Sequence, residues 1–475
     1  MRCTNRLRSR GTGLIWEELN PISISILLHE TRFTRHFQQL GFVCSVYLDP
    51  DEYHTPYPVF MEIDRTLENR SPILKKRLFF HDTLFLEGEA IDLPRALTIV
   101  EKESDYDLSL IWKSIGRVAT PRTLNNNAAL LSIFPDVAVS HSHRRSTLKV
   151  AVCAHVYYTD MLDEILSHAA NITTGYDLII TTDSAAKKEE IESLAAGKVD
   201  VSNLTVLVVN SNDGRDTSAL LITCRDLFMD DRYDLVCRIH TKKSPQDGAK
   251  GLLFKRHMFE NLLGSPGYVD NILDLFAENE QLGLAFPALV HIGYPTMGHS
   301  WFSNKDNVAK LAVDLELAVP LDDNTPVAPN GGMYWFRPKA LYKLFVYPWT
   351  WDDFADQNYE DGSLPHAIER IIAYVAIDSG YLVRHVLTSR QAAHNYVMLE
   401  AKLQKVLSTI PGADFRTQMG YLGATNVGVR ESFRRFVRSV KIALLRRSPL
   451  LSKMLRPVYK FFRTATRLPK LILPK

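Results

Sequence analysis

Four short apolar runs alternate with helix-like segments between Leu148 and His240, and this alternation limits the possible folds more than any other feature of the sequence. Parallel strands that are buried on both faces have continuous apolar sequences, and helices connect them. The pattern therefore predicts an α/β fold with a doubly wound, mostly parallel sheet. The predicted strands are 148–156, 176–182, 204–209 and 233–240, with further strands at 281–287 and 331–336.

The flanking sequence divides the 475 residues into three predicted parts. Residues 1–140 are predicted to form a smaller α/β segment with a strand at 42–48, residues 148–400 the main domain, and residues 401–475 a basic helical tail. From residue 432 onward the tail contains 13 Lys or Arg and no Asp or Glu, whereas the whole chain has a net charge of only +2. Apolar residues recur among these cations at helical spacing, which predicts binding to an anionic membrane surface. Such tails can also bind nucleic acid, which we do not expect here.

Cysteine usage and hydropathy indicate where the protein works. The five cysteines have no CxxC spacing, which argues for a reducing compartment and against a zinc site. The basic N-terminus is followed by WEELNP rather than by an apolar stretch, so no signal peptide is expected. No run approaches the ~20 apolar residues of a spanning helix. We therefore predict a cytoplasmic protein that is peripheral on the inner face of the plasma membrane.

Polar side chains follow two of the predicted strands directly. Because the carboxyl ends of parallel strands meet at one edge of a sheet, where ligands bind, these side chains are candidates for a shared site. Cations and hydroxyls there suit a diphosphate, and Asp216 suits a sugar hydroxyl or a metal. The alternative is a solvated basic loop and a helix N-cap at Asp216 or Thr217. The residues assigned to nucleotide-sugar binding are Asn212, Gly214, Arg215, Asp216, His240, Thr241, Lys242, Lys243 and Ser244.

Two later segments supply the remaining candidates. Consecutive glycines in PNGGMYWFRP let a backbone approach a ligand closely, and aromatic rings can stack on sugars. In EDGSLPHAIER, a carboxylate beside a sugar hydroxyl could act as a general base, and we assign that role to Asp361 or Glu369. The alternatives are an aromatic core strand and a surface ion pair. The residues assigned to the sugar or acceptor pocket are Asn330, Gly331, Gly332, Trp335, Arg337 and His366.

Four spaced motifs, YDLVCRIHTKKS, NDGRD, GGMYWFRPKAL and EDGSLPHAIERI, resemble the rhamnan synthesis protein F family of bacterial polysaccharide glycosyltransferases. The resemblance covers roughly residues 148–399, and residues 29–112 also resemble these proteins, in which they often follow a further glycosyltransferase-like domain. It implies a GT-A-like nucleotide-sugar fold. It also implies transfer of a deoxysugar, often rhamnose from dTDP-rhamnose, to a lipid-linked glycan.

The resemblance also raises the question of a metal cofactor. Many GT-A enzymes end the corresponding strand in an Asp-x-Asp pair that holds a divalent metal, whereas this strand ends in His240, Thr241 and Lys242. Cations in place of carboxylates could neutralise the leaving diphosphate directly. We therefore hypothesise metal independence, with Mg²⁺ or Mn²⁺ at Asp216 or Asp183 as the alternative.

Three classes of function remain after the sequence is considered. The leading prediction is an inverting glycosyltransferase with the residues assigned above. The second is a non-catalytic, glycosyltransferase-like scaffold or binding subunit of a polysaccharide assembly complex. The third is a protein whose function depends mainly on membrane or nucleic-acid binding by its tail.

Overall fold

A computed structural model of the chain describes residues 28, 30–139, 143–198, 203–241, 243, 248–294, 296–355 and 361–425. The chain forms two compact units. One consists of Met1–Ile111 with Thr123–Ala129, and the other of Trp112–Arg122 with Leu130–Lys475. Of the predicted tail, residues 426–475 lie outside the described part, and so do Lys242 and Ser244.

The described residues of the first unit form helices and turns, with no strand among them. Phe60, Ile63 and Phe79 are buried in its core. The prediction of a strand at 42–48 is wrong, because this stretch has no strand partner and lies almost entirely exposed. The α-helices are Thr31–Gln39, Pro58–Met61, Ile63–Glu68, Thr83–Gly88 and Leu93–Glu103, with 3-10 turns at Pro50–Glu52 and Lys76–Phe79.

The second unit is built on an eight-stranded sheet that confirms the predicted α/β class. Its order is β1-β8-β6-β7-β5-β2-β3-β4, and only β7 runs antiparallel to its neighbours. β2, β5 and β6 are buried at every position, as expected for strands covered on both faces. The strands are β1 (Leu131–Phe134), β2 (Val150–His155), β3 (Asp177–Thr182), β4 (Asn203–Val208), β5 (Leu235–His240), β6 (Leu282–Pro287), β7 (Tyr334–Phe336) and β8 (Leu382–Thr388).

Helices connect these strands, and several begin at a residue whose side chain caps them. The Ser184 and Ser265 hydroxyls each accept a hydrogen bond from the backbone N–H three residues on, which satisfies a donor left open by the first turn. Two helices, Ser109–Ile115 and Pro121–Asn127, run along the chain from one unit into the other. The other α-helices are Leu162–Ala169, Ala185–Ala195, Arg215–Ser218, Arg225–Met229, Ala249–Leu263, Pro266–Glu278, Lys305–Asp314, Tyr342–Val346, Leu364–Asp378, Ser389–Leu407 and Phe415–Thr425.

Shorter turns complete the unit and change two of the predicted boundaries. Among the helix-like segments predicted between the strands, the one at 217–228 is interrupted by a π-helical turn at Ala219–Thr223. The sheet also includes β1, which precedes the predicted domain start at residue 148. Within the described ranges, none of the helices combines the length and the apolar character needed to cross a bilayer. The 3-10 turns are Arg145–Thr147, Thr159–Met161, Pro338–Leu341 and Trp351–Phe354.

Candidate functional site

Three strands deliver polar residues to one edge of the sheet. β2 and β5 are parallel neighbours, and their last residues, His155 and His240, are directly paired. β7 runs in the opposite direction, with Tyr334 paired to Arg238, so the two glycines that precede β7 reach the same edge. This is the carboxyl edge of the parallel strands, where α/β folds bind their ligands.

Gly332 marks the point at which the candidate side chains converge. Gly331 and Gly332 have φ angles of +95° and +71°, a left-handed conformation that side chains other than glycine rarely adopt. A Cβ atom added to Gly332 would lie 3.3 Å from Asp216 Oδ2, 3.7 Å from Glu369 Oε2 and 3.7 Å from His240 Nε2. Three predicted site residues, which come from three different parts of the sequence, thus surround one small space beside a glycine.

His240 contacts both the glycine backbone and a carboxylate. Its Nε2 lies 2.9 Å from the carbonyl oxygen of Gly331, which it can contact only as a donor. The same nitrogen is 3.9 Å from Asp216 Oδ2. His240 therefore carries a proton on Nε2 that it donates to Gly331, and its Nδ1 lies 3.2 Å from a second carbonyl oxygen, that of Thr241.

Asp216 is held in place by Arg238, a residue of β5 that the sequence reasoning missed. A guanidinium nitrogen of Arg238 donates to Asp216 Oδ2 at 2.6 Å, and another donates to the Tyr334 hydroxyl at 2.9 Å. Burial alone would lower the pKa of Arg238, but Tyr334 and Asp216 outweigh it and raise that pKa. Arg238 therefore remains charged and fixes the carboxylate. The sequence feature that could have identified Arg238 is an arginine in the middle of an apolar strand.

Glu369 approaches the same space from the helix Leu364–Asp378. Its Oε2 accepts a hydrogen bond from the Gly331 N–H at 3.0 Å, and its Oε1 is ion-paired with Arg370. The N–H and the carbonyl oxygen of Gly331 are thus bound by Glu369 and His240, respectively. Both carboxylates of the site are consequently paired with an arginine.

His155 is a second residue that the sequence reasoning missed. Its Nδ1 lies 2.9 Å from Thr181 Oγ1, and the side chain of Asn212 lies close enough to the ring to raise its pKa slightly. Neither His155 Nε2 nor Asn212 Oδ1 makes a hydrogen bond of normal geometry, although both are buried. Burial lowers the pKa of His155 to about 4, so the ring is neutral at pH 7. A histidine at the end of β2, matching His240 at the end of β5, was the signal in the sequence.

The turn before Asp216 is shaped by two left-handed residues. Gly214 and Arg215 have φ angles of +80° and +52°. A Cβ atom on Gly214 would lie 2.5 Å from a ring carbon of Phe354, so the chain can pass here only without a side chain. Gly214 therefore meets a backbone requirement of the turn that leads to Asp216, and its role in nucleotide-sugar binding stays a prediction.

Two of the predicted nucleotide-binding residues after β5 make contacts within the protein. Thr241 is buried, and its hydroxyl accepts hydrogen bonds from the backbone N–H groups of Tyr157 and Tyr158 at 3.1 and 3.3 Å. Lys243 is ion-paired with Asp160 at 2.6 Å. Thr241 thus anchors the turn after β2, whereas the exposed ion pair of Lys243 can be exchanged for a ligand at little cost.

Three predicted residues of the later segments lie in local hydrogen-bond networks. Asp361 is exposed, and its Oδ1 accepts a hydrogen bond from the Asn304 amide at 3.2 Å. His366 Nδ1 is 2.9 Å from Ser363 Oγ at the start of its helix. The Asn330 amide donates to the carbonyl oxygen of Ala328 at 3.3 Å. Of the two predicted general bases, Glu369 is therefore the one placed beside Gly332.

Two pocket predictions require correction. Trp335 is fully buried in β7, and its indole N–H donates to the carbonyl oxygen of Leu262 at 3.1 Å, so the ring belongs to the core. Arg337 lies just past the end of β7 and binds the carbonyl oxygens of Leu282, at 2.9 Å, and Phe276. Because β7 is antiparallel, Arg337 is at the opposite edge of the sheet, beside the first residue of β6.

The acidic residues at this edge do not fit a bound metal ion. Within the described ranges, no group of three or more His, Cys, Asp or Glu side chains is arranged to hold one. Asp216 is engaged by Arg238 and Glu369 by Arg370, so a cation already neutralises each carboxylate. A metal would have to displace these guanidinium groups.

Comparison with known proteins places most of the chain in one family. The sequence model of the family described as "Rhamnan synthesis protein F" matches residues 15–381. Two similar proteins are called "Uncharacterized protein WxcX", from the B100 and ATCC 33913 strains of Xanthomonas campestris pv. campestris. Each is 28% identical over 291 residues, which cover 60% of this chain and 37% of the relative. The match thus spans little more than a third of the length of these relatives.

Proposed function

The chain belongs to the rhamnan synthesis protein F family, and we propose that it is a glycosyltransferase whose active site is the sheet edge around Gly332. Family membership supports a role in rhamnan or related polysaccharide synthesis. The finer proposal, sugar transfer on a GT-A-like nucleotide-sugar fold, is carried by one observation. Asp216, His240 and Glu369 converge within 3.3–3.7 Å of the position that a Cβ atom of Gly332 would occupy.

In the proposed reaction, Glu369 acts as the general base. Its Oε2 would take the proton of an acceptor hydroxyl as that oxygen attacks the anomeric carbon, while the bond from this carbon to the diphosphate oxygen breaks. Attack from the face opposite the leaving group inverts the anomeric centre. We prefer Glu369 to Asp361 because Glu369 lies beside Gly332 with Asp216 and His240.

The leaving diphosphate would be stabilised by groups at the end of β5. His240 carries a proton on Nε2, and Lys242 and Lys243 follow in the sequence. Donors aimed at the charge that develops in the transition state are usually the largest single contribution to catalysis. Asp216 would hold a sugar hydroxyl, with its position fixed by Arg238.

The partners belong to the same proposal. We propose dTDP-rhamnose or another deoxysugar nucleotide as the donor and a lipid-linked glycan as the acceptor. The protein would then work in the cytoplasm, peripherally on the inner face of the plasma membrane. The basic residues from 432 onward would attach it there electrostatically.

A second candidate function is favoured by the pairing of the carboxylates. Asp216 and Glu369 each contact an arginine, so both carboxylates already have a structural partner. The same contacts could therefore stabilise the fold of a subunit that binds a ligand but does not catalyse a reaction. Such a subunit of a polysaccharide assembly complex would bind a nucleotide sugar without turning it over.

Donor binding and transfer, measured separately, would test the proposal. We would titrate the full-length protein with dTDP-rhamnose and a panel of nucleotide sugars, and then follow transfer with membrane extract as the source of acceptor. Glu369→Gln keeps an oxygen for the Gly331 N–H but cannot take a proton, so we expect kcat to fall by ~10²–10⁴ with little change in donor Kd. Asp361→Asn is the matched control and should retain activity.

The other outcomes discriminate between the alternatives. Loss of activity in Asp361→Asn but not in Glu369→Gln would assign the base to Asp361. Donor binding without turnover in the wild type would support the binding subunit. Activity that is lost with EDTA and restored by Mn²⁺ would refute metal independence.

A further inference from the structure

Two aromatic side chains outside the assigned residues lie at the edge of the sheet that carries the diglycine. The sequence analysis looked for sugar-stacking rings in the segment that contains Trp335, and the structure places that ring in the core. Phe254 belongs to the helix Ala249–Leu263, and Tyr294 to the loop after β6. Their ring centroids are 5.3 Å apart, and the ring planes are inclined at 50°. We call this pair of rings the aromatic wall.

Phe254 contacts the diglycine with the outer edge of its ring. A Cβ atom added to Gly331 would lie 2.7 Å from Phe254 Cε1 and 2.8 Å from its Cζ. The corresponding position at Gly332, the next residue, is 3.3 Å from Asp216 Oδ2. Successive Cα atoms are only about 3.8 Å apart. Phe254 therefore contacts the backbone directly beside the carboxylate that we assign to a sugar hydroxyl.

Tyr294 is held beside Phe254 by a hydrogen bond to the helix. Its hydroxyl donates to the carbonyl oxygen of Lys250 at 2.6 Å. Because Lys250 precedes Phe254 by about one helical turn, this bond fixes the Tyr294 ring next to Phe254 and turns its hydroxyl toward the helix backbone. Both aromatic side chains are half-buried. The accessible surface of the aromatic wall is therefore mostly carbon, since its one hydroxyl is bound to the protein.

We propose that the aromatic wall contacts the C6 methyl group of the donor sugar and selects a 6-deoxysugar over the corresponding hexose. This inference rests on the proposed function. His240, which would stabilise the leaving diphosphate, contacts the carbonyl oxygen of Gly331, and Phe254 contacts the same glycine. Because the donor sugar is joined to that diphosphate, it is the part of the donor within reach of the aromatic wall.

The selectivity follows from the group that each sugar carries at C6. A 6-deoxysugar has a methyl group there, and burying it against aromatic carbon is favourable. The corresponding hexose has a hydroxyl group on C6, which would lose water against carbon atoms that cannot form a hydrogen bond with it. An apolar pocket rejects a substrate that merely adds a hydroxyl by up to about 100-fold. The aromatic wall should therefore discriminate between the two sugars without excluding the hexose.

The test compares the dissociation constants of the full-length protein for dTDP-L-rhamnose, for dTDP-L-mannose, which differs only by the C6 hydroxyl, and for dTDP alone. We expect the wild type to bind the deoxysugar donor about tenfold to 100-fold more tightly than the hexose donor. Phe254→Ala should reduce this preference by about tenfold and leave the Kd of dTDP unchanged, because water then reaches the C6 hydroxyl. Phe415→Ala removes an exposed ring elsewhere in the second unit, and this matched control should change neither quantity.

Two substitutions of Tyr294 separate the contribution of its ring from that of its hydroxyl. Tyr294→Phe keeps the ring and should keep the preference, whereas Tyr294→Ala should reduce it as Phe254→Ala does. The inference would be overturned if both alanine variants retain the preference, if Tyr294→Phe loses it, or if the alanine variants bind dTDP alone as weakly as they bind the donors. A wild type that binds both donors equally well would overturn this inference alone. A wild type that binds no nucleotide sugar would overturn the proposed function and this inference together.

Discussion

The buried ion pair between Arg238 and Asp216 makes the sharpest stability prediction. Arg238 donates to Asp216 at 2.6 Å, to Tyr334 at 2.9 Å and to Thr217 at 3.3 Å. Breaking a buried pair costs about 3–5 kcal/mol, because a charge is left without a partner. The cost should depend on which charge remains. The Arg238 side chain is only 4% exposed, whereas that of Asp216 is 21% exposed.

We therefore expect an asymmetric result from the two single substitutions. Arg238→Met leaves Asp216, which can rehydrate, so its cost should be near ~3 kcal/mol. Asp216→Leu leaves a charged guanidinium in the core, so its cost should be near ~5 kcal/mol. The double variant leaves no charge behind, and its cost should be lower than the sum of the two by at least ~2 kcal/mol.

Urea unfolding followed by tryptophan fluorescence is a suitable assay. Five of the six tryptophans lie in the unit that contains the sheet, so the signal reports mainly on that unit. Two results would refute the reasoning. If the losses of unfolding free energy in the two single variants add up to the loss in the double variant, the two side chains do not interact. If Arg238→Met destabilises the protein more than Asp216→Leu does, Asp216 is the less hydrated partner.

Three further predictions concern other positions. Gly332→Ala and Gly293→Ala should introduce the same backbone strain of ~1 kcal/mol, since the φ angles of these glycines are +71° and +73°. Only Gly332→Ala places a Cβ atom near Asp216, so donor titration should show loss of binding in that variant alone. Trp335→Phe should destabilise the fold by ~1–3 kcal/mol in urea and leave donor Kd unchanged, because it removes one hydrogen bond that is buried in the core. The pKa of His155 is about 4 in the folded protein and 6.5 in the unfolded chain, so the unfolded chain binds the proton first as pH falls. The free energy of unfolding should therefore decrease by ~3 kcal/mol between pH 6.5 and pH 4. His155→Gln should flatten that part of the stability profile.

The sequence predicted the strands that behave as uninterrupted apolar runs. β2, β3, β4 and β5 lie where the pattern indicated, because a strand buried on both faces has few polar residues. β8 was missed because Arg384 and His385 interrupt its apolar residues. His385 is buried nevertheless, and burial lowers the pKa of its ring to about 3, so it can be accommodated as a neutral residue.

The site was predictable only where it follows strands that run in the parallel direction. His240 and Asp216 could be placed at the carboxyl edge from the order of strands and turns alone. The glycines before β7 were chosen because they let a backbone approach a ligand closely, but the same segment also led to the assignment of Trp335 and Arg337 to the pocket. Sequence does not reveal that β7 reverses direction, and this reversal carries Gly332 toward the site and Arg337 away from it.

Gly331 connects the proposed chemistry to the backbone of the site. Its N–H is bound by Glu369 and its carbonyl oxygen by His240, so both side chains are satisfied without a ligand. For Glu369 to accept a proton and His240 to donate to a diphosphate, a ligand must replace these two contacts. The N–H belongs to the peptide group before Gly331 and the carbonyl oxygen to the peptide group after it. Two adjacent glycines allow both groups to turn at low cost, because neither residue has a side chain that restricts φ. The diglycine thus has two functions in the proposed mechanism, since it leaves room for the ligand and it can release the groups that act on it.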